Sequence, residues 1–287
     1  MRSKLIVIVG VIVSMLLLYA GIGFCQEKVS GSQWTQIVEQ MGDKGKINWS
    51  EGYIEAVGIG APPERYIGKP QARPMALRAA KVDAYRNLLE ATKGVRVDST
   101  TVVKDFTVES DVINAQVDGL VRGAKVVNQD YLSDGTVEVT VRMPMAGGFA
   151  QVIIPKALEN KPEAAPPAGP APSGDVFTGM VVDARGLQAR PAMAPKVLDE
   201  NGKEVYGSMN VDKEFAVQQG MSGYARDLTA AQSNPRVTNN PVSVKGIKTE
   251  GPGKSDIVIS NADADKIRGA ADNMTFLKKC RVMIVLD

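Results

Sequence analysis

From Leu5 to Cys25 the chain carries no charged residue, and Leu5–Val9 and Met15–Leu18 are strongly apolar runs behind the cationic Arg2 and Lys4. A short positive region followed by an apolar one is the pattern of an export signal, here residues 1–25. Beyond it the apolar positions recur with shorter periods. A short helix is expected at Trp34–Met41, then a strand at Gly52–Gly58, where apolar and polar residues alternate. The loop Gly60–Pro70 interrupts. From Ala72 to about Thr92 the period is helical, about 100° per residue: Leu77, Ala80, Ala84, Leu88 and Ala91 share one face, while Asp83, Arg86 and Glu90 point away. An alanine-rich stripe predicts a helix lying close on a sheet, and Gly94 is placed to cap it. Val95, Val97, Ser99, Thr101 and Val103 alternate as a strand. A second helix is expected from Ser110 to Val121, with Ser110 or Asp111 at its N-cap and Ile113, Val117, Leu120 and Val121 inward. A hairpin then runs from Ala124 to Met143 around Ser133-Asp134-Gly135. The order β-α-β-α-β-β predicts an α+β unit with its helices packed on one face of a sheet.

Lys156–Asp175 breaks this patterning. Prolines 162, 166, 167, 170 and 172, interleaved with Ala and Gly, suit an extended spacer. The spacer divides the mature chain into residues 26–155 and 176–287, two small mixed domains expected to fold separately. In the second, Phe177–Asp183 reads as a strand, and Lys196–Asp199 and Lys203–Tyr206 flank the turn pair Asn201-Gly202. Tyr224–Gln232 reads as a helix, Val242–Lys245 and Asp256–Ser260 as short strands, Ala262–Ala271 as a helix, and Arg281–Leu286 as a buried closing strand.

Charge and composition exclude several function classes. The 287 residues contain 34 Lys plus Arg against 32 Asp plus Glu, and loss of Arg2 and Lys4 with the signal leaves a balanced chain. A nucleic-acid binder would carry a basic surplus, whereas a balanced chain permits self-association. There is no histidine. This removes Ser-His-Asp and Cys-His nucleophilic sites and every histidine metal site. Carboxylate, lysine and serine–lysine chemistry stay formally open. The two cysteines, Cys25 and Cys280, make no disulfide framework, and Cys280 in an apolar segment reads as a buried thiol.

The candidate chemistry is thin. Asn261, Asp263 and Asp265 have the spacing of a calcium loop, but Lys266 stands where that loop needs glycine, and a helix cap at Ser260 or Asn261 explains them better. Gly58-Ile59-Gly60 is followed by a proline-containing loop rather than by a helix, which does not fit a nucleotide fingerprint. Gly220-Met221-Ser222-Gly223 has the wrong spacing for a nucleophile elbow. Arg185, Arg190 and Arg226 could line an anionic pocket. The loop from Pro62 to Pro74 carries Arg65, Tyr66, Lys69 and Arg73, residue types favoured at contact hot spots. No catalytic residue, cofactor or metal is expected.

Ala79-Ala-Lys-Val-Asp-Ala-Tyr-Arg-Asn-Leu-Leu-Glu90, Gly94-Val-Arg-Val97, Ser110-Asp111, Gly119-Leu-Val-Arg-Gly-Ala124 and Val137-Glu-Val-Thr-Val141 together resemble the LPP-twenty lipoprotein family. The resemblance extends over about residues 51–144. That family includes outer-membrane lipoproteins and flagellar basal-disk proteins, and is similar to the N-terminal part of flagellar assembly protein T. It implies an exported envelope protein whose small α+β domain packs into larger assemblies. The chain departs from the lipoprotein pattern at Phe24, a bulky residue where a lipobox carries a small one. Three fates of residues 1–25 therefore stay open: cleavage before Gln26, with Gly23 and Cys25 at −3 and −1; lipidation of Cys25; or a retained membrane anchor.

The leading expectation is an exported structural or interaction protein of the bacterial cell envelope, in the periplasm or at the outer-membrane periphery, within a flagellar or outer-membrane-associated complex. Its expected partners are envelope proteins and further copies of itself. The alternative is a periplasmic module that binds an envelope glycan or a small ligand through residues 176–287.

Overall fold

A computed structural model describes residues 36–159, 176–209, 211–269 and 273–287. The export signal, Cys25 and residues 160–175 of the spacer lie outside the described residues. The fold is α+β, built on two sheets. No helix of the described residues is long and apolar enough to cross a membrane.

The first sheet is antiparallel, in the order β1 (Val38–Met41), β2 (Gly45–Asn48), β3 (Tyr53–Gly60), β5 (Val137–Pro144), β4 (Lys125–Tyr131). Alternation decides its faces. Ile54, Ala56 and Gly58 of β3 pair with Met143, Val141 and Val139 of β5, and all six are buried beneath α1 (Ala72–Lys93). The next residues along each strand point the other way, where Glu55 receives Lys46 at 2.7 Å and Arg142 at 2.6 Å. Burial would raise the Glu55 carboxyl, but these two cations hold it below the ordinary carboxylate range.

The alanine stripe of α1 does what its composition predicts: Ala76, Ala80, Ala84 and Leu88 are fully buried and Ala91 nearly so. Gly58 and Gly60 make the close approach possible. A Cβ on Gly58 would lie 2.1 Å from the Ala84 amide nitrogen, and one on Gly60 would lie 2.2 Å from the Ala76 carbonyl oxygen. Two shorter helices follow, α2 (Val103–Glu109) and α3 (Asp111–Arg122), the latter capped by Ser110, whose Oγ accepts from the Ile113 amide. Helix α4 (Gly148–Glu159) continues through Pro155 into the first residues assigned to the spacer, held by Phe149, Ala150, Ile153 and Ile154 in the core.

The second sheet is mixed, in the order β8 (Glu204–Tyr206), β7 (Val197–Leu198), β11 (Asp256–Ile259), β10 (Pro241–Glu250), β6 (Gly179–Asp183), β12 (Val282–Val285), β9 (Gly223–Ala225). Strands β10, β6, β12 and β9 run parallel. The central strands are apolar on both faces, as expected of strands covered from two sides. Helices α5 (Lys213–Gln219), α6 (Leu228–Gln232), α7 (Asn261–Arg268) and α8 (Asn273–Lys278) complete this half.

Three expected elements differ. Trp34–Met41 is not a helix over its described residues, because Val38–Met41 pairs with β2 across a turn in which Gly42 takes φ +65°. Tyr224 lies in β9 rather than in a helix, which starts only at Leu228 behind the Asp227 cap. The Tyr224 hydroxyl accepts from the Ala192 amide at 2.9 Å and donates to its carbonyl at 2.7 Å. Residues 95–103 form no strand beyond a single bridge between Arg96 and Val102. Their backbone groups turn to the other half of the chain instead: the carbonyls of Arg96, Val97 and Ser99 accept from the amides of Met193 (3.0 Å), Ala194 (2.7 Å) and Gly253 (2.7 Å).

That segment also accounts for a difference in organisation. The chain from Thr35 to Asp287 is one compact unit, where the sequence suggested two that fold separately. One buried apolar cluster runs from Ile37 in the first half to Leu286 in the second. A polar clasp closes over it. Glu39 receives Arg96 at 2.5 Å, Arg190 at 2.7 Å and the Trp49 indole N–H at 3.2 Å, while Arg96 Nε donates to the Pro191 carbonyl at 2.9 Å. Burial would raise the Glu39 carboxyl, but the two guanidinium groups hold it below the ordinary carboxylate range. The joining contacts come from β1, the 95–102 loop, the packing of α4 on α5 and the Trp49–Tyr224 ring contact, so the lack of apolar periodicity in the spacer says nothing about them.

Candidate interaction groove

The loop that joins β3 to α1 is stiffened by Pro62, Pro63 and Pro70, and residues 64–66 form a single 3-10 turn. Pro74 sits in the first turn of α1, where its missing N–H costs no helical bond. The loop and the outer face of α1 enclose a groove of about 860 Å³. Pro63, Tyr66, Pro70 and Pro74 line one part, and Met75, Arg78, Val82 and Arg86 line the helical part.

The groove is apolar at its base and cationic at its margins. Met75 is 36% exposed, Val82 57% and the neighbouring Ile67 64%. Residues 61–86 carry Arg65, Lys69, Arg73, Arg78, Lys81 and Arg86 against only Glu64 and Asp83. Asp83 is already engaged, accepting from the Ile59 amide at 2.9 Å and pairing with Lys44 at 3.1 Å. Burial would raise its carboxyl, and these partners more than offset that, leaving it lowered. Arg78 and Arg86 have no ion-pair partner among the described residues. A surface of this kind can bury apolar atoms and pair with negative charge.

The sequence-predicted contact residues all lie at or near this groove. Tyr66 is half-buried in its wall, with the Arg65 guanidinium 4.9 Å and the Lys69 ammonium 5.5 Å from its ring centroid. Arg73 is exposed on the first turn of α1. Cys25 lies outside the described residues. Sequence reasoning missed the helical wall. Its signal was present: Val82 stands one turn from Arg78 and from Arg86 on the face opposite the alanine stripe.

The three arginines considered for an anionic pocket are each engaged separately. Arg185 pairs with Asp183 through two bonds of 2.8 and 2.7 Å, Arg190 pairs with Glu39, and Arg226 donates to the Gln36 carbonyl at 3.0 Å. Asn261, Asp263 and Asp265 start α7, where the Ser260 hydroxyl oxygen accepts from the Asp263 amide at 3.0 Å, a capping role. Gly220 ends α5, and Ser222 leads into β9. Cys280 is buried immediately before β12, and burial pushes its thiol up to about 11.

Residues 179–287 match a protein family described as Treponema pallidum Tp0624, second domain. The matched stretch starts at the first residue of β6 and includes the whole second sheet. No curated protein matches the chain.

Proposed function

We propose that this chain is an exported bacterial cell-envelope protein that works by contact rather than catalysis, as a component of a flagellar or outer-membrane-associated assembly. It acts in the periplasm or at the outer-membrane periphery, and its partners are envelope proteins and copies of itself. The observation that carries this reading is the groove, an apolar, arginine-flanked surface on a rigid helix and a proline-braced loop. Exposed apolar area rimmed by charge is the property of a contact site. The export pattern of residues 1–25, the LPP-twenty resemblance and the charge balance support the setting. The similarity of residues 179–287 to a domain of a Treponema pallidum protein is consistent with a bacterial one.

The test is capture of partners from native envelopes by wild-type protein and by the Arg65→Ala/Tyr66→Ala variant, with thermal melts of both. The variant should lose identified partners at unchanged stability, since neither side chain belongs to the buried core. Equal capture at equal stability would remove this loop from the contact surface, and turnover of an envelope substrate by the purified protein would overturn the reading as a whole.

A further inference from the structure

We propose that the groove seats a second copy of this chain through the acidic corner between α2 and α3. The proposal rests on the reading of the groove as a contact surface and specifies its occupant. At that corner Val108 is 77% and Val112 67% exposed, the two most exposed of the large apolar side chains described. Between them stand Glu109, Ser110 and Asp111, and neither acid has an ion-pair partner among the described residues. The corner is held in place: Phe106 is buried beneath it, the Ser110 amide donates to the Phe106 carbonyl at 3.1 Å, and Ser110 caps α3.

The two surfaces are complementary in sign. Arg78, Val82 and Arg86 stand one helical turn apart, a cation–apolar–cation row about 12 Å long. The corner offers two acids flanked by two exposed valines. Groove and corner are different patches, so the contact is head-to-tail: each copy keeps a free groove at one end and a free corner at the other, and copies add in series or close into a ring. The corner is small compared with the roughly 800 Å² per partner of a stable interface. Association should therefore be weak and weakened further by salt.

Sedimentation velocity of the full chain in mild detergent tests this. The wild type should show a weight-average sedimentation coefficient that rises with concentration, and the rise should shrink between about 0.05 and 0.5 M salt. Arg78→Gln/Arg86→Gln removes the groove charges and Glu109→Gln/Asp111→Asn removes the corner charges. Each should weaken self-association by about tenfold or more at an unchanged melting temperature. An equimolar mixture of the two variants should form a 1:1 pair that grows no further, because each supplies the surface the other lacks. Val82→Ser and Val112→Ser form a second pair should either charge variant fail to fold. A wild type that stays monomeric, variants that associate as it does, or a mixture without the pair would each overturn the proposal. A monomeric wild type whose groove variant still loses a captured envelope protein would overturn self-docking alone and leave the contact reading standing.

Discussion

Gly58→Ala adds one methyl group to the inner face of β3 and should destabilise the protein out of proportion to its size. The new Cβ would stand 2.1 Å from the Ala84 nitrogen, 2.3 Å from the Ala80 oxygen and 2.6 Å from the Ala84 Cα. All three are backbone atoms of α1, so no side chain can rotate out of the way. Restoring ordinary contact, about 3.4 Å, means moving the helix off the sheet by more than an ångström. That movement also lifts Ala76, Ala80 and Leu88, each fully buried, away from their neighbours. Overpacking alone costs about 1–3 kcal/mol, and a gap of this width forfeits a quarter to a half of the dispersion energy along the helix. We expect a loss of about 3 kcal/mol or more, which for a chain of this size lowers Tm by about 6–12 °C. Gly119→Ala is the matched control. It lies within α3 with nothing within 4 Å of its added Cβ, and should stabilise by about 0.5–1 kcal/mol through helix propensity. Urea and thermal unfolding followed by circular dichroism measure both. A Gly58→Ala protein that melts with the wild type would refute the close packing of α1 on β3.

Glu39→Gln should cost about 2 kcal/mol at neutral pH, because two charge-assisted bonds to Arg96 and Arg190 are weakened. The folded Glu39 value lies below the unfolded one, so the clasp stabilises fully above the ordinary carboxylate range and is lost as pH falls through the folded value. The gap between wild type and variant in chemical denaturation should therefore close on acidification, and a gap independent of pH would contradict the clasp. Cys280 should resist a thiol reagent in the folded protein and react only in denaturant, as peptide mapping of the labelled site will report. Intact mass of protein recovered from the envelope should correspond to a chain beginning at Gln26; diacylglycerol on Cys25 or an uncut chain would select one of the other two fates.

The parts of the fold that were legible in the sequence are those whose stability is local or whose periodicity is long. Helix α1 carries more than five turns of alanine-rich pattern, and the β4–β5 hairpin has the alternating Val137, Val139 and Val141 of β5 directly after a Ser-Asp-Gly turn. The Ser260 cap was legible because its partner lies three residues away. Residues 95–103 were not, although their alternation is regular and Val95 and Val97 are fully buried. The partners of the Arg96, Val97 and Ser99 carbonyls lie about a hundred residues or more along the chain, and no local pattern encodes them. The same distance hid the clasp of Glu39, Arg96 and Arg190, and with it the joining of the two halves into one unit. At the groove, the loop residues Arg65, Tyr66, Lys69 and Arg73 stood out by type, whereas Val82 stood out only against the polar face of α1. Its meaning needed the loop folded beside it.

The contact surface itself is tested most directly by a photoreactive residue. With p-benzoylphenylalanine in place of Val82, 57% exposed in the groove, irradiation of intact envelopes should yield a discrete crosslinked species identifiable by mass spectrometry, including crosslinks to the Val108–Val112 corner of another copy. The same probe in place of Asp130, exposed on β4 and outside the groove lining, should yield none. Crosslinking at Asp130 equal to that at Val82, or no product at Val82 in envelopes that contain the protein, would contradict the assignment of the groove as the surface through which this protein acts.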